Sequence, residues 1–268
     1  MNESRCTYTS GQENTNAATQ RIIMNINTSV ALVTGANRGI GKAFVEALHQ
    51  AGAKRIYATA RNIDSLKDIV AIDPERIIAL ALDITNPDSI TTAAQNLQDV
   101  NLLINNAGVL GTGGFFNSTS LETAHWEMET NYFGTLYMIR AFAPILKRNG
   151  GGAIANLLSV ASVVNVPVFG SYSASKAALY SLTQGARAEL AQQGTLVVGI
   201  FPGPVDTAMS DGVPLDKVPP SQIALATLQA VEQNIEDVNP DPVSQGVFAG
   251  IRQDPKAVEK QFAGMLPQ

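Results

Sequence analysis

From Ser29 onward, short apolar runs alternate with longer stretches whose apolar residues recur at helical spacing. The runs are Val30–Thr34, Arg55–Ala60, Arg76–Leu82, Asn101–Asn105, Ala153–Leu158 and Thr195–Phe201. Each is apolar on both alternating sets of positions, as strands buried on both faces are. Between them, Ile40, Ala43, Phe44, Ala47 and Leu48 keep one helical stripe over Ile40–Gln50, and Gly52 follows as a stop signal. Asp88–Leu97, His125–Asn149 and Tyr172–Gln192 carry longer helical patterns. Strand, helix and strand in repetition predict an α/β fold with a doubly wound parallel sheet. No linker-like composition and no repeat at a fixed period divides the chain, so it reads as a single domain.

The pattern is absent at one end and altered at the other. Residues 1–28 are rich in Asn, Thr, Ser and Gln and read as a disordered extension preceding a domain over 29–268. Met24, just before the patterned part, is a candidate start of translation. After Pro202, a proline-rich stretch to Pro220 reads as an irregular loop. Helices are predicted over Ser221–Glu236 and Asp254–Gly264.

Composition narrows the function classes. Apolar residues make up 45% of the chain and charged residues 15%, so a sizeable core is available. The net charge of −5 gives no basic field for a phosphate backbone, and no nucleic-acid partner is expected. A single cysteine, Cys6, excludes an intrachain disulfide and a thiolate metal cluster. His49 and His125 form no H-E-x-x-H pattern, and no metal is expected. No apolar run reaches membrane-spanning length and residues 1–28 lack a signal-peptide centre. The expected location is cytoplasmic, with no membrane partner.

The first run leads directly into Thr34-Gly35-Ala36-Asn37-Arg38-Gly39-Ile40-Gly41. Glycines there let the backbone approach a ligand, and the free N–H groups of a helix beginning near Ile40 suit a pyrophosphate. Taken alone, the same turn also serves as a tight strand-to-helix connection with no ligand. About 20 residues further on, where a carboxylate would bind a ribose 2′-hydroxyl, stand Ala60 and Arg61. Arg38 and Arg61 are two guanidiniums suited to a 2′-phosphate, which favours NADP(H) over NAD(H).

Tyr172 and Lys176 lie one turn apart on a predicted helix. A free phenol titrates near pH 10, and a neighbouring ammonium is expected to lower that value. Ser159, at the carboxyl end of a run, is placed to hydrogen-bond a substrate oxygen. Alone, Y-x-x-x-K is also the pattern of a surface tyrosine beside a solvated lysine.

With these pieces in order, the sequence resembles the short-chain dehydrogenase/reductase family. The resemblance covers Val30 to Thr207, about two thirds of the chain. It rests on Thr34–Gly41, Leu82-Asp83, Asn105-Asn106-Ala107-Gly108, Asn131, Ser159, Tyr172-Ser173-Ala174-Ser175-Lys176, and Pro202-Gly203-Pro204-Val205-Asp206-Thr207. It implies a three-layer α/β/α Rossmann fold. It implies that Gly35, Asn37, Arg38, Gly39, Ile40, Gly41 and Arg61 bind the coenzyme, and that Asp83 and Ile84 border the adenine. Asn105, Ala107 and Gly108 would close over the ribose. Pro202, Val205 and Thr207 would orient the carboxamide. Tyr172 would act as proton donor, with Ser159 beside it, and Lys176 would also hold the nicotinamide ribose. Asn131 would position a water in a proton relay. Two rival readings stand: Asp83 as a turn cap and Asn131 as a structural residue hydrogen-bonding to a neighbouring strand. His125 and Trp126 are expected to pack at a helix start.

The expected partner is a small carbonyl or alcohol substrate. Val163, Val164, Val166, Val168 and Phe169, with Val109, Leu110, Phe115 and Phe116, are pocket-wall candidates, and about half of them are equally core candidates. A substrate loop is expected over residues 207–220. Asp211 and Asp216 outnumber Lys217 there, which favours a neutral ketone or aldehyde over an anionic carrier-linked substrate. The activities implied are a carbonyl reductase or a 3-oxoacyl or hydroxysteroid-type dehydrogenase. A non-catalytic NADP-binding sensor is the reading of another class. The resemblance also implies a homodimer or homotetramer. Absence of the Gly-rich terminal tail common among relatives argues against the tetramer contact. The small residues of His125–Asn149 and Tyr172–Gln192 permit a dimer through those helices.

Overall fold

The structure, a computed structural model, describes residues 24–117, 120–212 and 215–267. Residues 1–23 of the expected extension, and Val213 and Pro214 of the substrate loop, lie outside the described residues. The extension was expected to run through Thr28, but residues 24–28 are seated on the folded domain. Ile26 is buried, its N–H donates to Glu232 Oε1 at 3.3 Å, and Asn25 caps a single turn over Ile26–Thr28. Two buried apolar side chains, Met24 and Ile26, with an accepting carboxylate seat this segment, although it carries no periodicity.

Seven strands form one sheet: β1 (Val30–Val33), β2 (Arg55–Ala60), β3 (Ile77–Ala81), β4 (Leu102–Asn105), β5 (Gly152–Leu157), β6 (Thr195–Ile200) and β7 (Asp237–Val238). Their spatial order is β3-β2-β1-β4-β5-β6-β7, and every pairing is parallel. The helices are α1 (Gly39–Gln50), α2 (Lys67–Val70), α3 (Pro87–Asn96), α4 (Glu122–Glu127), α5 (Thr135–Arg148), α6 (Gly170–Leu190), α7 (Pro220–Gln233), α8 (Pro242–Gln253) and α9 (Pro255–Phe262).

The pleat explains the layers. In β1, Ala31 and Val33 join a cluster with Phe44 and Leu48 of α1 and Ile223 and Val231 of α7. Val30 and Leu32 point the other way, towards Ile90 of α3 and Met138, Phe142 and Leu146 of α5. Each fully buried large side chain contributes about 1.5–3 kcal/mol. An alternating pattern with one polar face would have left half the sheet without a helical layer. Helix starts follow local chemistry: α3, α7, α8 and α9 each begin with proline, whose missing N–H is not needed there.

Three elements differ from expectation. The long helix expected over His125–Asn149 is interrupted by a π-helical turn over Met128–Gly134 between α4 and α5. β7 and α8 lie between the expected helices Ser221–Glu236 and Asp254–Gly264, where no element was assigned. Because β1 lies between β2 and β4, connections leave it in opposite directions, and a crevice opens at the carboxyl ends of β1 and β4. Among the described residues, no helix is long and apolar enough to cross a membrane.

Candidate active site

The crevice is built by the glycine turn after β1 and the Asn105–Gly108 segment after β4. Thr34 Oγ1 accepts the N–H groups of Asn106 and Ala107, both at 3.0 Å. Asn106 Nδ2 donates back to the carbonyls of Thr34 at 2.8 Å and Gly35 at 3.1 Å. Gly39 has φ +54°, and a Cβ on Gly41 would stand 2.1 Å from Gly35 O. Side chains are therefore excluded from the floor of the turn.

The start of α1 fits an anionic group. Its N-cap residue, Arg38, supplies no side-chain cap, and the first helical bond is Lys42 N–H to Arg38 O at 3.2 Å. The N–H groups of Gly39, Ile40 and Gly41 precede that bond and have no side-chain acceptor among the described residues, as a phosphate site requires. Asn37 lies in the same turn. Arg38 and Arg61 are exposed, and neither guanidinium has a hydrogen-bond or ion-pair partner among the described residues.

Other coenzyme candidates differ in how free they are. Asp83 Oδ1 accepts from Thr85 N at 2.9 Å and Thr85 Oγ1 at 2.7 Å, so the turn-capping reading describes this oxygen. Ile84 is buried in the core, and a Cβ on Gly134 would lie 2.9 Å from its side chain. Only the main chain of Ile84 is left to face a ring. Asn105 donates to Asn156 Oδ1 at 2.8 Å, while its own Oδ1 is buried without a partner. Gly108, Pro202, Val205 and Thr207 line the cavity described below; Ala107 does not.

Ser159, Tyr172 and Lys176 meet in that cavity. Ser159 leaves β5 as the N-cap of a short turn, and its Oγ accepts from Ala161 N at 3.1 Å. Its own O–H remains for Tyr172 or a substrate oxygen. Tyr172 and Lys176 project from the first turns of α6, and both are buried. The Lys176 amine lies 5.7 Å from the centre of the Tyr172 ring and donates to Leu157 O at 2.7 Å. Burial holds Lys176 down to about 8. Burial also pushes the Tyr172 phenol up to about 12, against the lowering effect of the Ser159 hydroxyl, and Glu127 adds to the rise. The expected lowering of the phenol by its lysine is therefore not found. Desolvation outweighs it, and the amine is turned to a carbonyl.

Asn131 sits inside the π-helical turn and is fully buried. Its Oδ1 accepts from Val109 N at 2.8 Å, and its Nδ2 donates to Val109 O and Ser175 Oγ, both at 2.9 Å. Every polar atom of the side chain is thus in a structural hydrogen bond, but to the loop after β4 and to α6, not to a neighbouring strand as expected. Its neighbours outside α4 and α5 are the loop after β4 and helix α6. A relay role would fall to its main-chain carbonyl, which already accepts from Thr135 Oγ1 at 3.0 Å.

The cavity has a volume of about 160 Å³. Its polar end is Ser159, Tyr172 and Lys176. Its walls are apolar: Leu110, Val166 and Phe169 of the expected wall, Met209 and Leu215 of the substrate loop, and Val243, Phe262 and Met265 near the carboxyl terminus. Of the other expected wall residues, Val109 also lines it, Val164 packs in the adjoining core, and Phe116 is exposed. His125 and Trp126 are exposed at the end of α4, not packed at its start. Sequence reasoning missed Asn106, Phe262 and Met265. Asn106 stood within the quoted N-N-A-G motif; Phe262 and Met265 carry no local signal beyond being apolar.

Strand order, glycine turn and buried phenol–amine pair together define a doubly wound, dinucleotide-dependent class of oxidoreductase. Residues 29–217 match the family model described as short chain dehydrogenase, and the chain belongs to that family. A short chain dehydrogenase of Burkholderia cenocepacia, solved in complex with NADP, is 42% identical with a TM-score of 0.85, over 89% of this chain and 99% of that one. A short-chain dehydrogenase/reductase of Burkholderia phymatum, solved in complex with NAD, is 26% identical with a TM-score of 0.79, over 89% and 96%. An uncharacterized oxidoreductase of Staphylococcus aureus is 32% identical over 232 residues, 81% of this chain and 99% of its own. The protein is thus an oxidoreductase with a nicotinamide coenzyme.

Proposed function

We propose that this enzyme prefers NADP(H) and reduces a neutral, apolar ketone or aldehyde. The observation that carries the reading is a cavity whose polar end, at Ser159, Tyr172 and Lys176, faces mainly apolar walls, with no carboxylate among the described lining residues. The two unpaired guanidiniums, Arg38 and Arg61, support the coenzyme preference, as no carboxylate stands at the end of β2. The nicotinamide supplies the hydride when bound. The chain's own part is to hold the carbonyl oxygen between the Ser159 hydroxyl and the Tyr172 phenol, and to give that oxygen the Tyr172 proton. With the phenol held at about 12, Tyr172 carries that proton throughout the neutral range. Lys176, swung from Leu157 O, would hold ribose hydroxyls and steady the phenolate left behind. The apolar walls exclude water and orient the substrate. A binding-only sensor has no use for this buried pair.

Oxidation of NADPH and NADH should be followed across ketones, aldehydes and quinones. NADPH turnover with apolar ketones is expected, several-fold faster than with NADH. Tyr172→Phe should bind NADPH as the parent does, by fluorescence, and lose about 10²–10⁴-fold in turnover. No oxidation with any carbonyl, or near-normal Tyr172→Phe turnover, would overturn the assignment.

A further inference from the structure

Glu127, the last residue of α4, is completely buried. No Lys, Arg or His pairs with it among the described residues. A buried carboxylate without a cation is costly and must be stabilised by hydrogen bonds. Its two oxygens divide that task between two segments. Oε1 accepts from Gly111 N at 2.7 Å, in the loop after β4. Oε2 accepts from the Ser171 hydroxyl at 2.5 Å, in the first turn of α6 and next to Tyr172. The two segments also meet directly nearby: Gly113 N donates to Val168 O at 3.2 Å, and the Phe115 ring covers Gly170 so closely that a Cβ there would come within 2.8 Å of it. Gly111 itself is pressed against Thr123 of α4, where a Cβ would meet the Thr123 methyl at 2.2 Å.

We propose that Glu127 is a positioning residue for the reaction: it clamps the loop carrying Leu110 to the helix carrying Tyr172, and places an acceptor charge beside the proton donor. This rests on the reading of Tyr172 as that donor. Groups facing the phenol come from several elements. Lys176 lies on its own helix and Ser159 on the turn after β5, while Glu127 of α4 reaches it through Ser171, the preceding residue; the residues lining the cavity from the 202–210 loop and from α9 are uncharged. Of the three, Glu127 acts against ionisation of the phenol. A negative neighbour favours the protonated phenol, the form that carbonyl reduction consumes.

Two substitutions separate clamp from charge. Glu127→Gln keeps the acceptor for Gly111, and its amide donates to a Ser171 hydroxyl that has turned, so the clamp survives without the charge. Glu127→Ala removes both. Tyr172 ionisation is read in the cofactor-free full chain, as the difference in ultraviolet titration between each protein and its Tyr172→Phe partner. Amide exchange of peptides spanning Gly111 reads the clamp. Glu127→Gln should keep parental protection at Gly111 and move the Tyr172 titration to lower pH. In the alcohol-oxidising direction, with NADP⁺ and 1-phenylethanol, its rising pH limb should move the same way. Glu127→Ala should speed exchange at Gly111 at least tenfold and raise KM more than it lowers kcat. An unmoved Tyr172 titration in Glu127→Gln, or parental protection at Gly111 in Glu127→Ala, overturns the proposal. Both readouts stand even if no carbonyl is turned over, so they fail separately from the functional reading.

Discussion

At the scale of single residues, the chemistry rests on two ionisable groups that the fold has stripped of water. Lys176 illustrates the consequence. In the folded protein it releases its proton near pH 8, while in the unfolded chain it holds it to about 10.5. Between those values the unfolded state binds more protons, so folding stability rises with pH. The gain is at most about 3 kcal/mol, and the Leu157 carbonyl that accepts from the amine reduces the charged form's penalty. Tyr172 acts with the opposite sign. Its folded value of about 12 lies above the ordinary 10, so its contribution falls as pH rises through that higher window. Thermal denaturation at about pH 7 and about pH 9.5 should therefore show the parent gaining stability relative to Lys176→Met. A melting difference that does not change with pH would mean that the amine is not desolvated. The positions of Tyr172, Lys176 and Ser159 were legible because the motif and its order along the chain fix them. Their protonation was not, since it depends on burial by residues distant in sequence.

At the scale of elements, the sheet was read almost to its ends because strands buried on both faces leave continuous apolar runs. β7 escaped because two residues, Asp237 and Val238, are too few to show a period. α8 was missed although Asp241-Pro242 and Ser244 form a capping box with proline at the first position, a signal obscured by Gly246 and Gly250. The π-helical turn was also invisible, since one extra residue per turn shifts a helical stripe without breaking it. That turn brings the Asn131 amide onto both Val109 and Ser175, joining the loop after β4 to α6. Such insertions are frequent at functional sites. Asn131→Ala would leave two backbone groups of Val109 unpaired, at about 1–3 kcal/mol each. For a chain of this size that predicts a melting temperature lower by about 5–10 °C. NADPH affinity should fall with it, because Gly108 lies against the same amide: a Cβ there would come within 3.1 Å of Asn131 Oδ1. Parental stability and parental NADPH affinity in this variant would show that the side-chain bonds to Val109 and Ser175 are dispensable.

At the scale of the whole molecule, the pocket is closed by a part of the chain beyond residues 29–217, the stretch matching the family model. α8 is fastened to the coenzyme side, since Asp241 Oδ2 accepts from Gly203 N at 2.8 Å while Oδ1 caps the helix through Ser244 N at 2.9 Å. The segment after α9 is fastened to the substrate side, where Val168 N donates to Met265 O at 2.8 Å. Between these two ties, Phe262 and Met265 form one end of the apolar cavity, packed with Val164, Val166 and Tyr172. Under the proposed function, this makes the carboxyl-terminal helices the determinant of substrate length and β5 and α6 that of the chemistry. Phe262→Ala removes one ring from that end and leaves the polar groups of Ser159, Tyr172 and Lys176 and the glycine turn unsubstituted. Each methylene accommodated or refused in an apolar pocket is worth about 1–3 kcal/mol. The ratio of kcat/KM for acetophenone to that for 2-butanone should thus rise by about tenfold or more. Global stability should fall by about 3 kcal/mol, as for other buried phenylalanines, so the comparison belongs well below the melting temperature. A ratio equal to the parent's, in a variant that still binds NADPH, would place the limiting wall elsewhere, at Met209 or Leu215 of the loop before α7.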